Sequence, residues 1–246
     1  MQACEGEKMP EVYFVGAGPG DPGLITVKGH ALLVRADVLI YTGSLVNPAL
    51  VAESPAPVKL DSWGMSLEDL IPAMAVPARE GKLVVRLHSG DPSLYGAIVE
   101  KMELLVSQGI ETVVVPGVSS MFGAAAALKA QLTLKGVSES VVITRPAGKT
   151  LDTDQIRELS SHNTTMVVFL GTGQLGEVLS KVAYPKDTPA AVVYHATWPD
   201  QKIIRGTVGD IAGKTRAAGI ERTALLFIGE TVGPDHTGHR RSVLYS

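Results

Sequence analysis

The chain of 246 residues is long enough for one large domain or two smaller ones, each with its own hydrophobic core. Apolar residues make up 45% of it and charged residues 19%, which predicts that much of the chain is buried. The formal net charge of −3 argues against a general attraction to nucleic acid or to an anionic membrane. An anionic ligand would therefore have to be met by local Lys, Arg or His side chains.

The N-terminal segment and the cysteine content indicate a cytoplasmic protein. Cys4 is the single cysteine and has no partner for an internal disulfide, which is typical of a reducing compartment. Met1 to Pro10 is too polar for a signal peptide. No run approaches the roughly 18 apolar residues of a membrane-spanning helix.

The first predicted strand, Val12 to Val15, ends in the glycine-rich loop of residues 16–23. Thr26 is expected to cap the following helix, whose apolar face would hold Ala31, Leu32 and Ala36. The loop is a poor dinucleotide fingerprint, because Asp21 stands where the third glycine of G-x-G-x-x-G belongs. Pro19 also removes an N–H that a pyrophosphate would need, so a nicotinamide cofactor is disfavoured.

The next predicted strand, Val38 to Tyr41, ends without the acidic residue that would hold a ribose. A short helix is expected to begin at Asn47-Pro48, with Asn as its cap. A strand at Val58 to Leu60 follows, and then a helix capped by Ser66. Pro77 is expected to bend or end that helix.

The stretch Lys82 to Ile98 predicts a buried strand, a tight polar loop and then a helix that continues to about Gln108. The strand is Leu83 to Leu87, and the loop is Ser89-Gly90-Asp91-Pro92, four residues that favour turns. Ligands in open α/β sheets bind beyond the carboxyl ends of the strands. We therefore expect this loop to form the floor of a ligand site.

A further strand, Thr112 to Val115, leads through Pro116 to Ser120 into a helix at Gly123 to Leu128. Residues 132–139 are interpreted as a linker to a second series of strands and helices. Its expected strands are Ser140 to Thr144, Thr165 to Leu170, Ala190 to Tyr194, Ile203 to Thr207 and Thr223 to Ile228, with helices near 175–179 and 210–218. The sequence thus predicts two α/β domains, residues 1–135 and 136–246, with a ligand cleft between them and a polar tail from Thr231.

Other chemistries fit the residues less well. Gly148-Lys149-Thr150 is similar to the end of a P-loop, but Ile143 stands where the first glycine is required. His236 and His239 lack the accompanying ligands of a zinc site, so no metal is expected. No basic stripe predicts a nucleic-acid surface.

Three loops, taken together and in order, carry a resemblance to a known family. They are VGAGPGDPGLIT (Val15 to Thr26), RLHSGDPSLYG (Arg86 to Gly96) and VPGVSS (Val115 to Ser120). They resemble the tetrapyrrole methylases, class III methyltransferases that use S-adenosylmethionine, and the likeness runs from about Val12 to Gly229. It implies a homodimer and a methyl donor bound in the cleft between two α/β domains.

Further stretches are similar to those members of the family that methylate precorrin-4 at C-11 in cobalamin biosynthesis. They are residues 41–50, 89–98, 116–134 and 192–207. Members that methylate uroporphyrinogen instead carry Tyr-Asp-Arg at Tyr41-Thr42-Gly43 and Gly-Gly-Asp-Pro at Ser89-Gly90-Asp91-Pro92. Both departures argue against uroporphyrinogen. The resemblance does not distinguish a metal-free from a cobalt-loaded substrate.

The resemblance also implies which residues hold the methyl donor, several of them through backbone groups. S-adenosylmethionine, and the product S-adenosylhomocysteine, would contact Pro19, Ser89, Gly90, Asp91, Leu94, Ser119, Ser120, Leu170 and Ala196. The tetrapyrrole carries many carboxylates, so basic residues near the loops are candidates for pairing with them. These are Lys28, Arg86, His88, Arg145 and His195, and for each a structural role is an equal alternative. No residue is singled out as a general base.

Two other classes of function remain open at this point. A methylase of RNA or of a modified protein histidine would share the fold, and would be expected to show a basic surface. A non-enzymatic tetrapyrrole carrier would bind the macrocycle without binding the methyl donor.

Overall fold

The computed structural model describes residues 9–148 and 151–233. The predictions for Cys4, Lys149, His236 and His239 lie outside these ranges. The chain divides into two compact units, the first ending at Ser120 and the second beginning at Met121. The division predicted at residue 135 lies later in the chain and stays a prediction.

The first unit is built on five parallel strands. They are β1 (Glu11–Gly16), β2 (Val38–Tyr41), β3 (Val58–Asp61), β4 (Val84–His88) and β5 (Glu111–Val115), in the order β3-β2-β4-β1-β5. The connecting helices are α1 (Val27–Leu33), α2 (Pro48–Glu53), α3 (Leu67–Arg79) and α4 (Ile98–Val106). Parallel strands joined through helices place all their carboxyl ends at one edge of the sheet.

The helices of this unit cover both faces of the sheet, as parallel sheets require. Leu33 of α1 and Leu50 of α2 share a core with Val85 on one face. Met74 of α3 and Leu105 of α4 lie on the other face. Helix α1, which follows β1, therefore lies on one face of the sheet, and helix α4, which follows β4, lies on the opposite face. Since β1 and β4 are neighbours, their carboxyl ends form a topological switch point, the usual place for a ligand.

The second unit holds a mixed sheet. Its elements are α5 (Ser120–Leu128), β6 (Val141–Thr144), α6 (Ile156–Ser160), β7 (Thr165–Val168), α7 (Leu175–Lys181), β8 (Pro189–Tyr194), β9 (Lys202–Thr207), α8 (Ile211–Ala217) and β10 (Ala224–Ile228). The strand order is β6-β7-β10-β8-β9, with β6 parallel to β7 and with β10 antiparallel to β7 and β8. The carboxyl ends of β6, β7 and β8 therefore share one edge. Helix α6 was not predicted from the sequence.

The predicted helix caps are confirmed. The side-chain oxygens of Thr26, Asn47 and Ser66 accept hydrogen bonds from the backbone at the starts of α1, α2 and α3. Asn47 also donates from Nδ2 to the Gly20 carbonyl at 2.8 Å, so it joins the start of α2 to the loop after β1. In the described part of the chain, none of the helices has both the length and the apolar character needed to cross a lipid bilayer.

Three local predictions differ from the structure in whole or in part. Ala31 is exposed, and Leu33 takes the buried position on α1 instead. Pro77 does not end its helix, because α3 continues to Arg79 with Ala78 buried against the core, while a bend at Pro77 stays a prediction. Thr231 is fully buried, with its hydroxyl 2.8 Å from that of Thr165, and the rest of the predicted polar tail from residue 234 lies outside the described residues.

Candidate functional site

The loops that follow β1 and β4 are joined by their backbones at the carboxyl edge of the first sheet. Gly18 N donates to the Gly90 carbonyl at 3.2 Å, and Gly90 N donates to the Gly18 carbonyl at 2.9 Å. Both residues have positive φ, at 79° and 65°, a conformation that glycine adopts without steric cost. The two glycine-bearing turns therefore form one paired structure.

The loop after β5 packs directly against this pair. A Cβ placed on Gly117 would lie 2.2 Å from the Gly90 carbonyl oxygen and 2.7 Å from the Cα of Gly16. A Cβ on Gly16 would lie 2.5 Å from the Cα of Gly117. Because real Cβ atoms do not come so close to backbone, only glycine fits at both positions. Three loops that are far apart in sequence thus meet within van der Waals distance.

Asp91 fastens two of these loops with its carboxylate. Oδ2 accepts the Gly117 N–H at 2.8 Å, and Oδ1 accepts the Ser93 N–H at 2.7 Å. Both oxygens are thus engaged by backbone donors, which suits a side chain that holds loop geometry. Such an arrangement fixes the shape of the loop backbone, which is suited to positioning a reactant.

The structure brings together most of the residues predicted to contact the methyl donor. Six of them lie in these three loops at one edge of the sheet, namely Pro19, Ser89, Gly90, Asp91, Leu94 and Ser119, and Ser120 follows directly as the first residue of α5. A Cβ on Gly90 would lie 3.3 Å from Ser120 N and 3.5 Å from Ser119 Cα. Pro19 and Ser119 are buried, whereas Ser89 is exposed.

The other predicted contacts belong to the second unit. Arg145, Leu170, His195 and Ala196 follow β6, β7 and β8, whose carboxyl ends share an edge. Leu170 and His195 both have left-handed backbone, with φ of 56° and 46°. Such residues cost free energy and tend to occur at functional sites. Leu170 is 64% exposed, so its side chain is available to a ligand.

His195 stands within an aromatic group of the second unit. Its ring stacks on that of Tyr194 with centroids 3.8 Å apart, and on that of Trp198 at 4.9 Å. Its Nδ1 lies 3.0 Å from the Asp200 carboxylate. Among the remaining basic candidates, Lys28 is an exposed residue of α1 in the first unit.

Two of the basic candidates, Arg86 and His88, are buried near the carboxyl end of β4. Burial lowers the pKa of Arg86 to about 10, which leaves the guanidinium charged at neutral pH. Burial, and then the positive charges of Arg86 and Lys101, lower the pKa of His88 to about 3. His88 is therefore a neutral imidazole at physiological pH, and its ring lies against Phe14.

The low pKa of His88 predicts a specific loss of stability in acid. Between pH 6.5 and about 3 the unfolded chain binds a proton that the folded chain does not, so stability falls as the pH falls. We expect His88→Gln to flatten the dependence of the unfolding free energy on pH by up to about 1.4 kcal/mol per pH unit. Chemical denaturation at several pH values between 7 and 4 measures this slope. His162→Gln, at an exposed position, is the matched control, and equal slopes for both variants would contradict the prediction.

The interaction of Arg86 with Thr42 was missed from the sequence. Arg86 Nη2 donates to Thr42 Oγ1 at 3.1 Å, and Thr42 Oγ1 lies 3.3 Å from Ser62 Oγ. Gly16 and Gly117 were also not singled out as close contacts, since their neighbours are distant in sequence. Within residues 9–148 and 151–233, no group of His, Cys, Asp or Glu side chains is arranged to hold a metal ion.

Comparison of the sequence with known proteins identifies a family and several relatives of named activity. Residues 11–212 match the sequence model of the family described as Tetrapyrrole (Corrin/Porphyrin) Methylases. The chain is 46% identical over 237 residues to a cobalt-precorrin-4 C(11)-methyltransferase of Methanocaldococcus jannaschii, a match covering 94% of this chain and 92% of that protein. It is 41% identical over 238 residues to a precorrin-4 C(11)-methyltransferase of Pseudomonas aeruginosa, covering 95% and 94%.

Solved structures show the same likeness. The structure of a cobalt precorrin-4 methyltransferase, a cobalamin biosynthetic enzyme, superposes with a TM-score of 0.88 at 43% identity, covering 91% of this chain and 96% of that one. A uroporphyrin-III C-methyltransferase of Thermus thermophilus, in complex with S-adenosylhomocysteine, gives 0.77 at 29% identity, covering 90% and 98%.

Proposed function

Since the chain belongs to the family of tetrapyrrole (corrin/porphyrin) methylases, we propose that it methylates precorrin-4 at C-11 with S-adenosylmethionine as donor. It is a methyltransferase with the two-sheet α/β fold of this family. The observation that carries the proposal is the meeting of Gly16, Gly90 and Gly117 at the switch point of the first sheet. The near full-length identity to precorrin-4 methyltransferases supports the choice of substrate.

The proposed reaction moves a methyl group from a sulfonium to a carbon. The electron pair of the macrocycle carbon forms the new C–C bond, the S–CH3 bond breaks, and the sulfonium becomes a neutral thioether. The positive charge passes to the macrocycle, which becomes neutral again by releasing a proton to solvent. Because the reduced macrocycle is itself a carbon nucleophile, the protein must mainly align the two reactants away from water. Positioning of this kind supplies roughly 7–11 kcal/mol of barrier reduction in favourable cases.

For the donor we propose contacts from the three loops of the first unit and from two residues of the second. Backbone groups around Gly90 and at Ser119 and Ser120 would meet the polar edges of the nucleoside, and Leu94 would cover its apolar surface. Leu170 and Ala196, which follow β7 and β8 in the second unit, are proposed as donor contacts on the resemblance alone. The proposed partners for substrate carboxylates remain Lys28, Arg86, His88, Arg145 and His195, with the neutral His88 acting as a hydrogen-bond donor and not as a charge.

The cobalt-loaded form of the same substrate is a second candidate. The relative that is 46% identical and the structure with a TM-score of 0.88 both carry the cobalt-precorrin-4 name. An assay of purified protein with metal-free and cobalt-loaded precorrin-4 decides between them, with methyl transfer followed by mass spectrometry. Activity on the cobalt form alone would overturn the first choice.

Two simpler measurements test the remaining parts of the proposal. Calorimetry with S-adenosylhomocysteine distinguishes a methyltransferase from a tetrapyrrole carrier, because a carrier would release no heat with this nucleoside. Light scattering after gel filtration tests the homodimer that we propose for a cytoplasmic enzyme of this family. A monomer at micromolar concentration would contradict it.

A further inference from the structure

The guanidinium of Arg86 is buried with too few partners for its charge. The residue is 6% exposed, and among the described residues its hydrogen bond runs from Nη2 to the Thr42 hydroxyl. Nε and Nη1 are fully buried and have no hydrogen-bond partner among the residues that the structure describes. Buried charges are ordinarily paired, because an unpaired one loses its hydration without compensation.

The surroundings of Arg86 add positive charge. Lys101 of α4 interacts with both Arg86 and His88, and its Nζ donates to the Ala97 carbonyl at 2.6 Å. Asp61 at the end of β3 is the opposing charge. Its Oδ1 already accepts the Gly43 and Trp63 N–H groups, both at 2.9 Å, and no ion pair joins it to Arg86 in the described part of the chain. The group as a whole therefore favours an anion.

The position of this group matches the proposed active edge. Arg86 lies three residues before Ser89 on the strand that carries the central loop, and Thr42 opens the loop after the neighbouring strand β2. The hydrogen bond to Thr42 brings the Arg86 guanidinium to the carboxyl edge of the first sheet, the edge at which the three glycine loops meet. A guanidinium presents parallel N–H groups whose spacing matches a carboxylate.

We propose that Arg86, held by the Thr42 hydroxyl, binds a peripheral carboxylate of the tetrapyrrole substrate. This inference rests on the proposed function, and it assigns one substrate group to one protein group. The uncharged Thr42 is essential to it, since a carboxylate at this position would pair with Arg86 internally. The methyl donor also carries a carboxylate, and the experiment must therefore separate the two sources.

Thr42→Asp is the informative variant, because it neutralises the guanidinium and leaves Arg86 in place. We expect KM for the macrocycle to rise about tenfold or more, as the substrate carboxylate is displaced by an internal one. A fluorescence-quenching titration with uroporphyrin, a porphyrin that carries several carboxylates, measures the same loss of macrocycle affinity without turnover. The affinity for S-adenosylhomocysteine is expected to stay within about twofold. The melting temperature is expected to hold or rise, since a buried charge gains a partner.

Two controls separate this effect from size and from general charge. Thr42→Asn has the shape of Asp without the charge, and is expected to raise KM far less. Ser44→Asp adds the same charge at an exposed position of the same loop. Equal KM values for the Asp and Asn variants at position 42, with active wild-type protein, would overturn the Arg86 subsite alone. A loss of S-adenosylhomocysteine affinity in Thr42→Asp would assign the carboxylate to the donor and likewise overturn it.

The test also distinguishes failure of the proposed function. Wild-type protein that binds uroporphyrin but transfers no methyl group to either form of precorrin-4 would contradict the function, while the response of Thr42→Asp would still measure the subsite. Arg86→Lys provides a second check, because it keeps the charge but loses the paired N–H groups. A KM unchanged in Arg86→Lys and in Thr42→Asp would leave Arg86 with a structural role only.

Discussion

Asp91→Asn is expected to weaken the binding of S-adenosylhomocysteine by about tenfold to a hundredfold. Asn keeps the size of Asp91 but has one oxygen, so it can accept only one of the Ser93 and Gly117 N–H groups. Its amide nitrogen would then face the other donor. The loop after β5 would lose its tie to the loop after β4, and the donor site would lose its shape. Isothermal calorimetry gives the affinity directly.

The matched control for this prediction is Asp187→Asn, which makes the same chemical change at an exposed position of the second unit. Circular dichroism and thermal unfolding establish that the Asp91 variant remains folded. If folded Asp91→Asn protein binds the nucleoside as tightly as the control, the three-loop site is not the donor site.

Gly117→Ala is expected to lower kcat by about a hundredfold. The added methyl would overlap the Gly90 carbonyl oxygen at 2.2 Å and the Gly16 Cα at 2.7 Å. Because both are backbone atoms, no change of side-chain rotamer can relieve the overlap. The loops must separate, and displacement of about one ångström suffices for a loss of this size. We also expect destabilisation of about 1–3 kcal/mol from overpacking. Steady-state kinetics and denaturant unfolding measure the two effects.

Gly213→Ala provides the comparison, because a Cβ at this position in α8 meets nothing within 4 Å. This variant is expected to keep full activity and to be slightly more stable, since alanine favours helix. Wild-type kcat in Gly117→Ala would mean that the close approach of the loops is irrelevant to catalysis.

The sequence was sufficient to predict that the loops after β1, β4 and β5 share an edge. Each apolar run is followed by turn residues, and parallel strands place such turns on one side. The strand order was not predictable, because the neighbours of β4 are β1 and β2, which are remote in sequence. The contacts of Gly16 with Gly117 therefore became visible only in three dimensions.

The sequence identified basic residues near the site, but it did not show which of them are buried or what they contact. Arg86 was one of five equal candidates, and what separates it from Lys28 is burial against a partner that lies 44 positions away. Leu170 was predicted to continue its strand, yet β7 ends at Val168 and Leu170 adopts left-handed backbone. Apolar character predicts a strand, and it carries no information on such a turn.

The mutual backbone hydrogen bonds of Gly18 and Gly90 also constrain when the binding site can come into existence. During synthesis, Gly90 is made long after Gly18 and the loop after β5 follows both, so the three loops cannot meet before residues 116–120 of the 246 have emerged. The proposed donor therefore cannot accelerate the steps that precede this closure of long loops. Its expected effect comes afterwards, by slowing escape from the folded state.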